Sequence, residues 1–508
     1  MRFRTMAFAA ASGLLLAASF PSFDLSALIW IALVPLLIVL KDQTVKNGFW
    51  LGGITGLAFF AGTVHWVTNS VHYYGGIALI PASLITLLLC AYLALYPAIF
   101  GAVVVHLRKT PSSLLVVSIP AVWTALELAR TYIFSGFPWS LLGYSQYRVL
   151  SVIQVADFTG VYGISFIIVL VNAAIAGFIL NRKSYPGLIV ASLIILLAVG
   201  YGYLRLTTPY TAARGITISV IQGNIDQNKK WNPAFQAEVI STYKRLTLEA
   251  IKKKPDLVIW PETAVPFYFT GKNPADQLLT DDIKTFAKSA GVPLLFGSPT
   301  YEILPDREIK LHNSAFLLTA QGNIDAVYHK FHLVPFGEYV PLKDVLFFVG
   351  KMVQAIGDFE SGHEYTVMKI PAGQGEVSLS TVVCYEIIFP DLVRRFVDHG
   401  AGIVTTITND AWFGRTAAPY QHFSMAVFRA IENRVPIARA ANTGISGFVD
   451  ARGTILETSP IFTEAYLTRS LSPGRTKTFY TRFGDIFAYA CLLMSILMIV
   501  RKPGKSSR

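Results

Sequence analysis

Apolar residues follow two rhythms along this chain. Up to about residue 204, long apolar runs alternate with short polar joints. Runs of roughly 17 residues or more, enough to cross a hydrocarbon layer, fall near 5–20, 24–40, 48–68, 76–105, 114–134, 162–180 and 187–204, with an eighth at 484–500. Between the seventh and eighth the rhythm changes to short β-branched runs and amphipathic helical patterns. ITISVIQ (216–222) precedes a helical stretch at 234–254; DLVIW (256–260) precedes another at 276–290, and VPLLFG (292–297) follows. NSAFLLT, IDAVYHK, VSLSTVVC and GIVTTIT read as strands, QHFSMAVFRAIENR (421–434) as a helix, and IARAA and SGFVD as strands again. Strands that alternate with helices and then run in pairs predict a layered α/β domain. The predicted organisation is a polytopic α-helical membrane domain of eight transmembrane helices plus an α/β domain. Residues 1–204 carry helices one to seven, 205–480 the α/β domain, and 481–508 the eighth helix with a basic tail.

Composition agrees with two solvents for one chain: of 508 residues 53% are hydrophobic and only 15% charged, against about 25% charged in an average soluble domain. The net charge of +12 might point to nucleic acid, but its distribution points elsewhere. Alternate connections carry Arg2, Arg4, Lys41, Lys46, Arg108, Lys109, Arg182, Lys183, Arg501, Lys502, Lys505 and Arg508, with Asp42 as the single acid. The intervening joints, PSF (21–23) and TNSVHYYG (68–75), have no Lys or Arg. By the positive-inside rule both termini are expected in the cytoplasm and the α/β domain outside it. The first 20 residues could also serve as a cleaved signal peptide, but cleavage would leave seven spans and put the basic loops on the wrong side.

Three strand ends carry reactive side chains, and chemistry in α/β folds collects where strands end. Glu262 follows DLVIW in WPETAVP (260–266), Lys330 follows IDAVY in YHKFHLVPFGEYVP (328–341), and Cys384 ends SLSTVV. Cys90 and Cys491 lie in apolar runs, which leaves Cys384 without a disulfide partner. A thiol with its ordinary pKa near 8.5 needs a base or a cation before it attacks a carbonyl. Glu262 could take the proton and return it; Lys330 could stabilise the thiolate and an oxyanion, assisted by the Tyr385 N–H. Alone, Glu262 reads as a helix N-terminal acid after a Pro and Lys330 as a solvated loop charge; together with Cys384 they read as a site. HKFH around Lys330 lacks a nearby acid or Cys cluster, so a metal is not expected.

WPETAVP, YHKFHLVPFGEYVP and VVCYEIIFPD, followed by TNDAWFG (408–414), resemble the Glu–Lys–Cys motifs of the nitrilase (carbon–nitrogen hydrolase) superfamily. Such a domain set before the last of eight membrane helices resembles the apolipoprotein N-acyltransferase family of Gram-negative bacteria. The resemblance implies a nitrilase-like αββα sandwich, with Glu262 as base, Lys330 as oxyanion stabiliser and Cys384 as nucleophile. It implies supporting roles for Glu338, Tyr385 and Glu386, and a mobile arm bearing Trp231. It further implies transfer of an acyl chain from the sn-1 position of a phospholipid, typically phosphatidylethanolamine, through a Cys384 thioester. The acceptor would be the α-amino group of the S-diacylglyceryl cysteine of an apolipoprotein, with no cofactor, at the bacterial inner membrane and with the catalytic domain periplasmic. Two rivals remain in view, a membrane-tethered amidase for small amides and a transporter whose outer domain binds solute. FSGFPWSLLGYSQY (134–147) and FYTRFGD (479–485) are expected to form the lipid-facing surface. Glu127 and Arg130, one helical turn apart, read as a functional intramembrane acid or as a local ion pair.

Overall fold

Along β1 (Ile216–Gln222) the side chains alternate as a strand buried on both faces must. Ile216, Ile218 and Val220 pack between two sheets, whereas Ile221 joins the outer helices. In the computed structural model, which describes residues 2–108, 112–208, 215–305, 307–339, 359–373 and 375–500, β1 belongs to a six-stranded sheet. Its order is β12 (Ala465–Leu471), β1, β2 (Leu257–Ile259), β3 (Leu294–Ile303), β4 (Ile309–Leu318) and β5 (Ile324–His329). The second sheet runs β11 (Ile455–Thr458), β10 (Gly447–Val449), β9 (Ile437–Ala441), β8 (Ile403–Thr408), β7 (Gly375–Val383) and β6 (Met368–Ala372). β1, β2 and β3 are parallel, as are β7, β8 and β9, so the carboxyl ends within each parallel trio open to one side.

Helices Gln236–Ala250 and Pro274–Ala290 cover the first sheet, packing Tyr243 and Ile283 with Trp260 and Phe296. Helix Pro274–Ala290 starts where it does because Asn273 accepts from the Ala275 N–H at 3.1 Å and Pro274 follows. It stops at Gly291, whose φ of +64° suits a residue without a Cβ. Helices Pro390–Asp398 and Ala418–Asn433 cover the second sheet, completing four αββα layers. The strands missed by pattern are β6, β11 and β12, all at sheet edges; β6 alternates but is only five residues long and carries Pro371, and polar residues interrupt β11 and β12.

Each predicted apolar stretch contains helix. Among the described residues four helices are long and apolar enough to cross a membrane: Leu79–Leu107, Leu114–Tyr132, Val161–Leu180 and Arg182–Thr207. A fifth is added if the pair Val45–Val64 and Trp66–Tyr74, bent by 49°, counts as one span. Phe3–Ala18, Ser26–Val39 and Ile486–Val500 are apolar but shorter. The 24–40 stretch is broken because Pro35 can sit only in the first turn of Val34–Val39, which leaves a separate 3₁₀ turn at Ser26–Trp30. Helices Val45–Val64 and Leu79–Leu107 approach closely because small residues face each other; a Cβ on Gly52 would lie 2.0 Å from the Pro97 carbonyl oxygen. The rim residue Lys109 and the basic tail Arg501, Lys502, Lys505 and Arg508 lie outside the described residues.

Two expectations need correction. TNSVHYYG is wound as a helical turn and a π-turn, Ser70–Tyr74, and Ser70 Oγ donates to the Trp412 carbonyl at 2.8 Å. Residues 138–147 are buried and therefore do not form a lipid-facing surface; Trp139 Nε1 donates to Gln421 Oε1 at 2.7 Å. Glu127 and Arg130, whose charges attract one another across one helical turn, also satisfy this loop's polar groups. Glu127 Oε1 accepts from Trp123 Nε1 (3.0 Å) and the Leu142 N–H (2.8 Å), and Arg130 Nη1 donates to the Trp139 carbonyl (2.7 Å). Helix Ala418–Asn433 is buried at every residue but Tyr420 because it is clasped between its sheet and the apolar helices. Arg429 Nη2 donates to Tyr144 Oη (2.8 Å), Glu432 accepts from the Val161 N–H (2.9 Å), and neighbouring Arg434 pairs with Asp157 (2.7 Å).

Candidate active site

The apolar run Val382–Val383 is fully buried, and the chain then turns sharply at Cys384, whose φ of +53° is the left-handed region a side chain rarely adopts. The turn lifts Cys384 out of the sheet as a half-buried free thiol at the head of the short helix Cys384–Ile388. Glu386 holds that turn: its Oε2 accepts from the Val383 N–H at 2.6 Å. Its Oε1 accepts from Tyr328 Oη (2.7 Å) and from the N–H groups of Phe331 (2.7 Å) and His332 (3.1 Å). One buried carboxylate therefore ties the Cys384 turn to the segment that carries Lys330. His422 Nε2 contacts the Cys384 carbonyl at 3.1 Å from the other side.

Glu262 follows β2 through Trp260 and Pro261 and is 6% exposed. Gly297 in β3 is required there, because a Cβ would lie 2.5 Å from the Thr263 nitrogen. Asn313 Nδ2 donates to Glu262 Oε1 (2.8 Å) and to Glu338 Oε1 (2.7 Å), while the Asn409 N–H donates to Glu262 Oε2 (2.9 Å). Lys330, 1% exposed at the end of β5, places Nζ 2.8 Å from Glu338 Oε2 and 3.8 Å from Glu262 Oε1. Glu338 is in turn held by the Val334 N–H at 2.8 Å.

Charge follows from this packing. Burial alone would lower the Lys330 ammonium, but Glu338 and Glu262 outweigh it and raise its pKa, so it stays charged. Burial and the Glu262 carboxylate push the Cys384 thiol up, against Lys330, so the resting sulfur is protonated. The Glu386 carboxyl is pushed up to about 7 by burial, against Lys330 and its donors. Because this lies above its ordinary 4.5, the stabilisation from Glu386 is complete below pH 4.5 and is lost as pH rises through 7. Subtracting the melting temperatures of Glu386→Gln from those of wild type should give a difference that declines between these values; a flat difference would contradict this assignment.

The structure thus brings Glu262, Lys330, Glu338 and Glu386 into one network, with the Cys384 sulfur inside the field of Glu262 and Lys330. Tyr385 Oη donates to the Gly136 carbonyl at 3.2 Å, which links the site to the loop between apolar helices. Trp231 follows a short turn, Gln227–Lys230, that packs against Glu262, and its indole N–H is buried without a partner among the described residues. His329 and His332 turn away from Lys330: His329 Nδ1 contacts Ser314 Oγ (2.8 Å), and the His332 ring lies 3.7 Å from Phe389. Sequence reasoning missed Asn313, Asn409, His422 and Lys230. Asn409 lay in the quoted TNDAWFG and Asn313 opened NSAFLLT, but neither position signals which carboxylate it meets.

Four αββα layers with a carboxylate, an ammonium and a thiol at strand ends have the arrangement of a carbon–nitrogen hydrolase domain, and residues 217–480 match the carbon-nitrogen hydrolase family. Residues 12–174 match the apolipoprotein N-acyltransferase N-terminal domain. An apolipoprotein N-acyltransferase of Geobacter metallireducens is 45% identical over 489 residues, covering 95% of this chain and 92% of the relative. One of Pasteurella multocida is 33% identical over 504 residues, covering 96% and 93%. Among solved structures, an amidase from Nesterenkonia sp. is similar at 18% identity and a TM-score of 0.38, covering 55% of this chain and 98% of that one. The chain belongs to the apolipoprotein N-acyltransferase family.

Proposed function

We propose that this protein transfers an acyl chain from the sn-1 position of a phospholipid to the α-amino group of an N-terminal S-diacylglyceryl cysteine. The carrying observation is that relatives named for this reaction match both the apolar helices and the α/β domain in one alignment. That match favours the acyltransferase over a tethered amidase, since a soluble amide gives no reason for the helical half.

In the first half-reaction Glu262 takes the thiol proton as Cys384 Sγ bonds to the ester carbonyl carbon. Negative charge on the carbonyl oxygen is met by Lys330 and the Tyr385 N–H. Collapse breaks the bond to the sn-1 oxygen, which receives the proton from Glu262 and departs as lysophospholipid, leaving a thioester. In the second half-reaction the neutral α-amine attacks that carbonyl, Glu262 takes the amine proton, and the C–S bond breaks. The proton returns to sulfur, and the product is an amide. Glu338 keeps Lys330 in place, Glu386 and Tyr385 hold the Cys384 turn, and Trp231 borders the acyl chain.

Eight spans are the reading that gives every basic connection one side, with both termini cytoplasmic and the catalytic domain periplasmic at the bacterial inner membrane. Residues 1–204, 205–480 and 481–508 are then the first seven helices, the catalytic domain and the eighth helix with its tail. Phosphatidylethanolamine is the expected donor. Drawing a chain of ~16 carbons into water would cost about 0.8 kcal/mol per CH₂, or about 12 kcal/mol, so the nucleophile has to meet its substrates at the bilayer surface. Incubating purified protein with phosphatidylethanolamine alone should add one acyl mass to Cys384, removable by neutral hydroxylamine, with release of lysolipid. An unmodified mass after lysolipid has formed would overturn the thioester mechanism.

A further inference from the structure

A second buried cation lies against this site. Lys230 is fully buried, and its Nζ donates to the Glu262 backbone carbonyl at 3.0 Å. That contact uses one of three donors and meets a neutral group, a poor exchange for the water an ammonium gives up. The turn that delivers it is bolted from several directions. Asn409 Nδ2 donates to Gln227 Oε1 (2.7 Å), the Ile225 N–H donates to Asn442 Oδ1 (2.9 Å), and the Asn224 N–H to the Asn442 carbonyl (2.9 Å). Glu262 is therefore gripped at three points: Oε1 by Asn313, Oε2 by the Asn409 N–H, and its carbonyl by Lys230. The charges that reach Lys230 are those of Glu262 and of Cys384. Beyond them, the site's titratable and charged groups are Lys330 and Glu338 after β5, Glu386 after β7, Asp410 after β8 with its partners His422 and Arg439, and Asp226 on its own arm.

We propose that Lys230 is a further positioning residue of the acyl-transfer site, a cation that fixes Glu262 through its backbone and stabilises the Cys384 sulfur once the thiol has lost its proton. The proposal rests on Cys384 being the nucleophile. Burial and Glu262 both oppose the thiolate, and Lys330, committed to Glu338, is the counterweight already described. Lys230 pulls in the same direction as Lys330. Burial brings its own pKa down to about 8, against Glu262 and Cys384, so it titrates in the range where its effect on sulfur can be read.

The test is the rate at which iodoacetamide alkylates Cys384 in the purified full-length protein without substrate, followed with pH. Lys230→Gln keeps a donor for the Glu262 carbonyl but no charge; Lys230→Met removes both. Below the thiol's midpoint the rate tracks the thiolate fraction, so losing one nearby cation should slow alkylation about tenfold at pH 7, about one pKa unit. Wild type should show a break in slope near pH 8, where Lys230 loses its charge, and Lys230→Gln should not. In the acyl-transfer assay kcat should fall by a similar factor, with KM changing less than about twofold. An alkylation profile of Lys230→Gln that superimposes on wild type overturns the proposal, even if turnover falls. If Lys230→Met does not fold, Lys230→Gln decides alone. Failure of the underlying reading looks different: wild type would then gain no acyl mass on Cys384 from phospholipid.

Discussion

Cys384→Ser is expected to abolish N-acylation of a diacylglyceryl peptide, by ~10³-fold or more, as the loss of a covalent nucleophile does. The geometry explains why so conservative an exchange is so damaging. Glu262 is a carboxylate whose two oxygens are already held by Asn313 and the Asn409 N–H, which fixes it in place beside the sulfur's turn. It can draw a proton from a thiol whose negative charge Lys330 shares, whereas an alcohol lies several pKa units further away. The fold should not change, because serine accepts the same strained φ of +53° and the Glu386 and His422 contacts are made to backbone. The expected result is an unchanged melting temperature, no acyl mass after exposure to phospholipid, and no lysolipid. An acyl adduct appearing elsewhere in the variant would remove Cys384 from its assigned role.

Lys330→Met should lose both activity and stability, by separable routes. Removing one stabiliser of an oxyanion costs about 10²–10³-fold in kcat. It also leaves Glu338, 2.8 Å from the missing nitrogen, as a largely buried carboxylate without its cation, held only by Asn313 and the Val334 N–H. Breaking a buried pair in this way costs about 3–5 kcal/mol. Adding Glu338→Gln to Lys330→Met should restore much of the melting temperature, because no charge is then stranded, while leaving turnover depressed. If stability and turnover recovered together, Lys330 would be a structural ion-pair partner and the oxyanion would need another stabiliser.

Glu262, Lys330 and Cys384 were legible along the chain because each sits at the end of an apolar strand run, a local property that twenty neighbouring residues suffice to reveal. The α/β alternation was legible for the same reason: the periods of β1, β7 and β8 and of the helices at 234–254, 276–290 and 421–434 are written in adjacent residues. The four-layer sandwich was implied only by the resemblance, and helix Pro390–Asp398 was not read. β11 and β12 were not legible, since their exposed polar residues leave no apolar alternation, and β6 was not because its alternation spans only five residues and includes Pro371. The 138–147 part of the 134–147 loop was misjudged, although Phe134 is exposed as expected. Its Gly, Pro and aromatic residues predict a broken segment, but not whether lipid or the helix Ala418–Asn433 covers it.

Local pattern alone determined that this chain has an apolar helical part and an α/β part, and which three side chains end its strands. Sheet order decided the rest. Asn313 meets Glu262 across 51 positions, Asn409 across 147, and Glu386 meets Phe331 across 55. Such pairings arise only when strands distant in sequence lie side by side, and no periodicity within either segment records the other. The same holds for Lys230, which a reader of QGNIDQNKKWNP would assign to water and which the packed structure instead places, dry, on the carbonyl of Glu262.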